Sequence, residues 1–323
     1  MAFLPTRLPS NTTYPEPSFC SVENGDMPLN RGEVYILISV LGITFNAFVL
    51  IIFCVNKKPY TVPEIYLSNL AAADLVLMSC LPIWAVEIFH GYQWNLGSFL
   101  CKLYNQAFDM NYSCSVYFLM MVSIDRYLAV VHPLSCKKIR EPLYAKLGCF
   151  LVWTLGFLLC IPSFIYHDTM PYYNITVCAV ASHNLTTVLT IKLNFFVFTF
   201  IVPIFVISFC TVMILKRLRR RLPEGLKVQK TERRATTLVL ACLLAFLVCW
   251  TPFNLIKIAF FLYDFEHLTG CRILKMMDFY EQIFVYLAYF NSVLNPIIYV
   301  IAGKNFRGKI KVLFKLREEE QTS

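Results

Sequence analysis

The sequence predicts an all-α membrane protein, a seven-transmembrane helix bundle with a short C-terminal amphipathic helix, and two observations carry that reading. Of 323 residues, 58% are hydrophobic and only 15% charged, whereas soluble domains carry about 25% charged residues. Seven apolar stretches lie at residues 34–55, 65–89, 100–131, 147–166, 191–215, 236–262 and 280–302, and each supplies the roughly 20 residues that cross a bilayer core. They leave an extracellular amino-terminal segment over 1–33, a membrane domain over 34–302 and a cytoplasmic amphipathic helix and tail over 303–323. No large soluble domain fits.

Ahead of the first span, residues 1–33 hold no apolar core followed by a small-residue cleavage site, so they do not read as a signal peptide. The first span is expected to direct insertion itself. Lys57, Lys58, Lys137, Lys138, Arg140, Lys146, the run from Lys216 to Arg234 and the tail from Lys304 to Arg317 all fall on one side of the spans. The positive-inside rule makes that side cytoplasmic and the amino terminus extracellular. Glycosylation sequons at Asn11, Asn174 and Asn184 fall on the outer side. Asn111 also heads a sequon, but inside the third span, where the transferase does not reach.

Of 13 cysteines, Cys20, Cys101, Cys178 and Cys271 lie at or beyond the outer helix ends, where oxidation occurs. Four cysteines allow three pairings. Cys101 with Cys178 would tie the third helix to the second outer loop, and Cys20 with Cys271 would tie the amino-terminal segment to the third outer loop. The other nine read as small apolar packing groups. After the seventh span, Phe306, Ile310, Leu313 and Phe314 recur at helical spacing among cations, the pattern of an interfacial amphipathic helix. The run Lys216 to Arg221 reads first as an anchor to anionic membrane lipids, at about 1 kcal/mol per residue near the leaflet.

Polar groups inside spans are functional hypotheses by default, and here they are ordered. Asn46 lies in the first span, Asn69-Leu-Ala-Ala-Ala-Asp74 in the second, Ser123-Ile-Asp-Arg-Tyr127 in the third and Trp153 in the fourth; Pro203, Cys249-Trp-Thr-Pro252 and Asn295-Pro-Ile-Ile-Tyr299 follow. In order and spacing this set resembles the signatures of the rhodopsin-like G-protein-coupled receptors. Glu64 to Asp74, Phe118 to Ala129, Thr231-Glu-Arg-Arg-Ala-Thr236, Ala245 to Trp250 and Tyr299 to Lys304 are similar to the bradykinin (kinin) receptors. The resemblance implies a multi-pass plasma-membrane receptor for a kinin-type peptide. It would activate heterotrimeric G proteins, of the Gq class with phospholipase C and calcium signalling. The alternative is another peptide or a chemokine-like ligand, although the amino terminus holds a single tyrosine, Tyr14, where chemokine binding more often brings several.

Asp74 at mid-membrane must be paired, protonated or metal-bound. The resemblance implies that Asp74, Asn111, Ser115, Asn291 and Asn295 line a polar cavity for a sodium ion, a hard cation suited to oxygen ligands; a water-filled cluster without an ion is the alternative. No other cofactor is expected. By the same resemblance Arg126, flanked by Asp125 and Tyr127, faces Glu232 of the sixth span in the inactive state, and Tyr299 reorders near it. Pro252 kinks the sixth helix above Trp250, with Val116, Pro203 and Phe246 as the packing cluster that shifts. Thr211 stands where many such receptors carry a tyrosine, which leaves the partner of Tyr299 open.

For the ligand we single out Trp84, Asn105, Phe108, Asp109, Tyr112, Trp250, Asp278, Glu281 and Gln282. Acids, Glu87 among them, outnumber bases near the outer helix ends, which favours a cationic peptide. Asp278 matches the kinin-receptor pattern; Asp109 departs from it, and Phe260 stands where those receptors can have an acid. Asp109 argues for a kinin that keeps its terminal arginine. The tail has no cysteine and only Thr322 and Ser323 as hydroxyls, so weak phosphorylation-dependent arrestin capture is expected, and no nucleic-acid partner. No Ser/His/Asp or Cys/His arrangement suggests an enzyme. The seventh span has no lysine for a retinal Schiff base, and neither internal repeats nor many mid-membrane charges suggest a transporter.

Overall fold

The computed structural model describes residues 31–55, 60–133, 141–172, 175–181, 184–220, 226–264, 271–302 and 306–310. Helices α1 (Arg31–Val55), α2 (Val62–Phe89), α3 (Gly97–Val131) and α4 (Pro142–Tyr166) are the first four spans. Helix α5 (Leu185–Phe196), a π turn (Val197–Ile201) and α6 (Val202–Arg220) make the fifth, and α7 (Leu226–Asp264) and α8 (Cys271–Ala302) are the sixth and seventh. Seven rods are long and apolar enough to cross a membrane. Every rod starts earlier than its apolar stretch. Hydropathy marks the length in lipid, whereas helical hydrogen bonds run on through polar residues such as Arg272 and Lys275 at the start of α8.

The loop between α4 and α5 departs from the all-helical expectation. Strands β1 (His167–Tyr172) and β2 (Ile175–Val180) pair antiparallel, with His167 opposite Val180 and Thr169 opposite Cys178. The β-branched residues Ile175, Thr176, Val177 and Val180 suit a strand, a signal outweighed in a sequence otherwise dominated by long apolar runs. Trp94 N–H donates to the Thr176 carbonyl at 2.7 Å and Ala181 N–H to Tyr166 at 2.7 Å, pinning both ends of the hairpin. Lys102 on α3 pairs with Asp168 at 3.3 Å. The Ser98 hydroxyl first, then the Thr169 N–H and Lys102, hold the Asp168 carboxyl below its usual range. Burial pushes His167 down to about 4, so its ring is neutral at physiological pH.

Three prolines build the bundle's joints. A proline withdraws one donor from its helix and orphans a carbonyl, and a buried carbonyl needs a partner. Pro82 frees Met78, whose carbonyl takes the Ser39 hydroxyl of α1 at 2.7 Å. Pro296 frees Ser292, whose carbonyl takes Asn46 Nδ2 of α1 at 2.9 Å. In the π turn Val202 N–H reaches back five residues to Val197, so the next carbonyl, Phe198, is left facing Pro203; Tyr117 Oη of α3 donates to it at 2.9 Å. Small residues permit the close approach: a Cβ on Gly42 would meet Met78 at 2.4 Å, and one on Gly156 would meet Cys114 Sγ at 2.7 Å. Outward-facing Phe150, Phe205 and Ile301 are 67%, 74% and 68% exposed, an apolar jacket that suits lipid and not water.

Candidate ligand and signalling sites

Trp250 on α7 is fully buried. Tyr112 stacks on it at 4.2 Å between ring centroids, and Phe246, Phe108 and Phe253 surround it at 5.7–6.0 Å. Asn254 Nδ2 donates to Tyr112 Oη at 3.1 Å and to the Trp250 carbonyl at 2.8 Å, fixing the pair. Higher up, Trp84 lies parallel on Tyr104 at 5.1 Å. The Cys101–Cys178 disulfide joins the top of α3 to β2, Cα to Cα 5.6 Å. Beneath it Asn105 Nδ2 donates to the Cys101 carbonyl at 2.9 Å and contacts Cys178 Sγ at 3.3 Å.

The structure sorts the acids and amides of the expected pocket. Asp109 is half-buried and hydrogen-bonds Ser163, with Lys257 and Lys192 as the cations acting on it. Asp278 is half-buried at the top of α8 beside Glu281, within the field of Arg31. Glu281 is buried and salt-bridged to Lys257, whose ammonium also lies 5.2 Å from the Phe253 ring centre. Gln282 Nε2 donates to Tyr35 Oη at 2.8 Å, tying α8 to α1. Glu281 and Gln282 therefore already hold helices together, and Asp109 and Asp278 are the acids better placed for a ligand cation. Phe260 packs with Ile256 and Met277 in the seam of α7 and α8.

At mid-membrane Asp74 is fully buried and gathers three spans. Its Oδ1 accepts from Asn111 Nδ2 at 2.9 Å and Ser292 Oγ at 2.7 Å, and its Oδ2 from Asn295 Nδ2 at 2.9 Å. Asn111 Oδ1, Asn295 Oδ1, Ser115 Oγ and both amide atoms of Asn291 are buried with no hydrogen-bond partner among the described residues. Buried polar atoms are seldom left so. One carboxylate and several neutral oxygens fit a small hard cation, and they fit sodium better than a transition metal, which prefers nitrogen and sulfur.

Residues 45–299 match the 7 transmembrane receptor (rhodopsin family) pattern. The chain belongs to that family. It is 40% identical to the B2 bradykinin receptor of Homo sapiens over 84% of this chain and 70% of that protein. It is 38% identical to the B2 bradykinin receptor of Sus scrofa over 95% of this chain and 85% of the relative, and 34% identical to the B1 bradykinin receptor of Macaca fascicularis over 87% and 81%. It is a receptor, not an enzyme.

Near the C-terminal end of α3, Arg126 Nε donates to Asp125 Oδ2 at 2.9 Å, and a second guanidinium nitrogen approaches the same oxygen. Tyr127 Oη meets His132 Nε2 at 3.1 Å and its ring lies 6.0 Å from Phe209. The side chain of Glu232 lies outside the described residues, and with it the expected bridge to Arg126. Val116, Pro203 and Phe246 are buried together with Trp250, and Pro252 lies one half-turn above within α7. Tyr299 is buried, its hydroxyl without a partner among the described residues, and its ring is 6.3 Å from Phe306.

Residues 306–310 are helical, with Phe306 buried and Ile310 packed on the core. Lys309 Nζ reaches Glu64 Oε1 at 3.1 Å and lies 5.1 Å and 5.0 Å from the Phe53 and Tyr60 rings. The other oxygen of Glu64 accepts from Thr61 N–H at 2.8 Å, completing a capping box at the start of α2. Leu313, Phe314, the Cys20–Cys271 pairing, Asn11 and Asn174 lie outside the described residues. Asn184 is exposed and caps α5, its Oδ1 accepting from Thr187 N–H at 3.2 Å; the cap uses the oxygen, not the nitrogen to which a glycan attaches. Eight of the nine cysteines expected as packing groups are free thiols, six of them buried.

Sequence reasoning missed Ser292, Tyr117, Ser39 and Lys257. Lys257 had a signal, an ammonium within reach of the membrane, but it was counted only as one outer base. Ser39 and Tyr117 are hydroxyls whose work depends on a proline in another helix, and Ser292 is one whose partner is Asp74 of α2; a sequence shows no such pairing.

Proposed function

We propose that this chain is a plasma-membrane receptor for a kinin-type peptide, its amino terminus outside and its carboxyl terminus in the cytoplasm. It activates heterotrimeric G proteins, of the Gq class, with calcium release as the readout. The likeness to bradykinin receptors carries this reading. The half-buried carboxylates Asp109 and Asp278 support it, since arginines of a peptide would pair with them in a site sheltered from water. The ligand presses toward Trp250, whose aromatic contacts on α3 and α7 transmit the change to the cytoplasmic ends. There Arg126 leaves Asp125 for the G protein. Membrane lipids meet the exposed Lys216, Arg217 and Arg219, and arrestin capture is weak.

A sodium ion at Asp74 belongs to the same proposal: Asn111, Ser115, Asn291 and Asn295 would hold it with Asp74, and it would supply a positive charge that favours the ionised carboxylate. The Cys20–Cys271 bridge and glycans on Asn11, Asn174 and Asn184 complete the outer face.

Calcium mobilisation tests the reading in cells expressing the chain, challenged with bradykinin and with the same peptide lacking its terminal arginine. A response to the intact peptide, at least tenfold weaker for the trimmed one and absent in Arg126→Ala, is expected. Silence at verified surface expression would reassign the ligand or the G protein; equal potency of the two peptides would remove Asp109 from its role.

A further inference from the structure

We propose that Glu87 and the aromatic side chains around it form a second cation site in the outer bundle, one that takes a guanidinium group of the ligand. The identity of that ligand rests on the kinin reading above; the site itself does not. Glu87 follows Trp84 by three residues on α2 and so shares its face. It is only 2% exposed, and its Oε2 has no hydrogen-bond partner among the described residues. Among those residues no lysine or arginine pairs with it. A buried carboxyl with an open acceptor oxygen is a place for a cation, which would favour its ionised form and bond to it.

Its surroundings suit that cation. Tyr104 of α3 lies within the field of Glu87 and stacks on Trp84 with the ring planes 5° apart. The Tyr104 hydroxyl is bonded to that of Tyr289 on α8, and Tyr289 stands edge-on to Tyr35 of α1 at 5.6 Å. Tyr35 in turn is within bonding reach of Trp84. Trp84 and Tyr104 thus bring π faces and a hydroxyl oxygen toward one carboxylate, and Tyr289 and Tyr35 hold those rings in place. That combination recognises cations, and a planar guanidinium, which both stacks and donates in pairs, fits it better than an ammonium. Asp109 lies on a different side of α3, bonded to Ser163 of α4. The two acids therefore read separate groups, and a peptide carrying two arginines engages both.

Competition binding on membranes holding the full chain tests this, with bradykinin and analogues in which one arginine at a time is replaced by citrulline, its neutral isostere. Glu87→Gln should weaken bradykinin at least tenfold. One citrulline analogue should bind wild type and Glu87→Gln equally, because its missing charge is the one Glu87 reads. A change under twofold, or the same loss with every analogue, would overturn the proposal. Glu87→Asp, which keeps the charge, should recover most of the affinity, and Glu87→Leu replaces the amide variant in the series if that variant fails to reach the surface. Should wild type bind no bradykinin, the kinin reading fails and the site is read instead with arginine methyl ester. A rise in melting temperature of the purified receptor that Glu87→Gln loses would support the site, and equal rises would sink it.

Discussion

At mid-membrane Asp74 accepts hydrogen bonds from α3 and α8 as well as belonging to α2, whereas near the C-terminal end of α3 Asp125 bonds its own chain neighbour, Arg126. The first acid fastens three spans; the second grips a guanidinium of its own helix. Charge at the centre serves assembly, and on the proposed function charge at the end of α3 serves the G protein. Mutations should separate the two regions cleanly.

The largest expected effect is on folding at the centre. Asp74→Ala leaves the Asn111, Ser292 and Asn295 donors without their acceptor, at about 1–3 kcal/mol each, so the purified receptor should melt far lower or fail to reach the surface. Arg126→Ala takes one partner from the buried Asp125 and should cost about 1–3 kcal/mol, less than the three bonds lost at Asp74, while abolishing the calcium response. Equal destabilisation by both would break the comparison.

Next in size is the fastening of the C-terminal helix. Lys309→Met strands the buried Glu64 carboxylate and should cost about 1–3 kcal/mol, read as a lower melting temperature that Glu64→Gln in the same chain partly restores. Sodium sharpens the contrast further. Wild type should melt several degrees higher in sodium chloride than in choline chloride, and Asp74→Asn should not distinguish the salts. Tyr117→Phe orphans the Phe198 carbonyl and should cost about 1 kcal/mol.

The smallest effect concerns pH. Burial lowers His167 to about 4, so the unfolded chain, with an ordinary value near 6.5, binds the proton first. Stability therefore falls as pH drops from about 6.5 to about 4 and is steady above. His167→Gln should flatten that slope in melting curves taken across the range.

The spans and the signature residues were legible because hydrocarbon imposes a length and penalises every polar exception, so Asp74, Asn111 and Asn295 announce themselves against an apolar background. What escaped depends on pairs of helices. Asn46 stood out as an amide in lipid, but Ser39 and Tyr117 are residue types that apolar helices tolerate, and nothing in their own segments points to Pro82 or Pro203. The pocket was half legible for the same reason. Acids could be counted along the outer ends, yet that Glu281 is already matched by Lys257, and Gln282 by Tyr35, follows from how α1, α7 and α8 are set against one another. The outer hairpin escaped because two six-residue strands are faint beside seven long apolar runs.

The contact between Lys309 and Glu64 sets a boundary on the tail. Glu64 orders the start of α2, so the receptor's second span is finished by a residue encoded some 245 positions later, after all seven spans have been synthesised. A chain ending before Lys309 would insert completely and still lack the counter-charge of Glu64, whereas one ending a turn beyond it would keep that counter-charge. Premature stops on either side of that point should therefore divide sharply into receptors retained by quality control and receptors delivered to the cell surface.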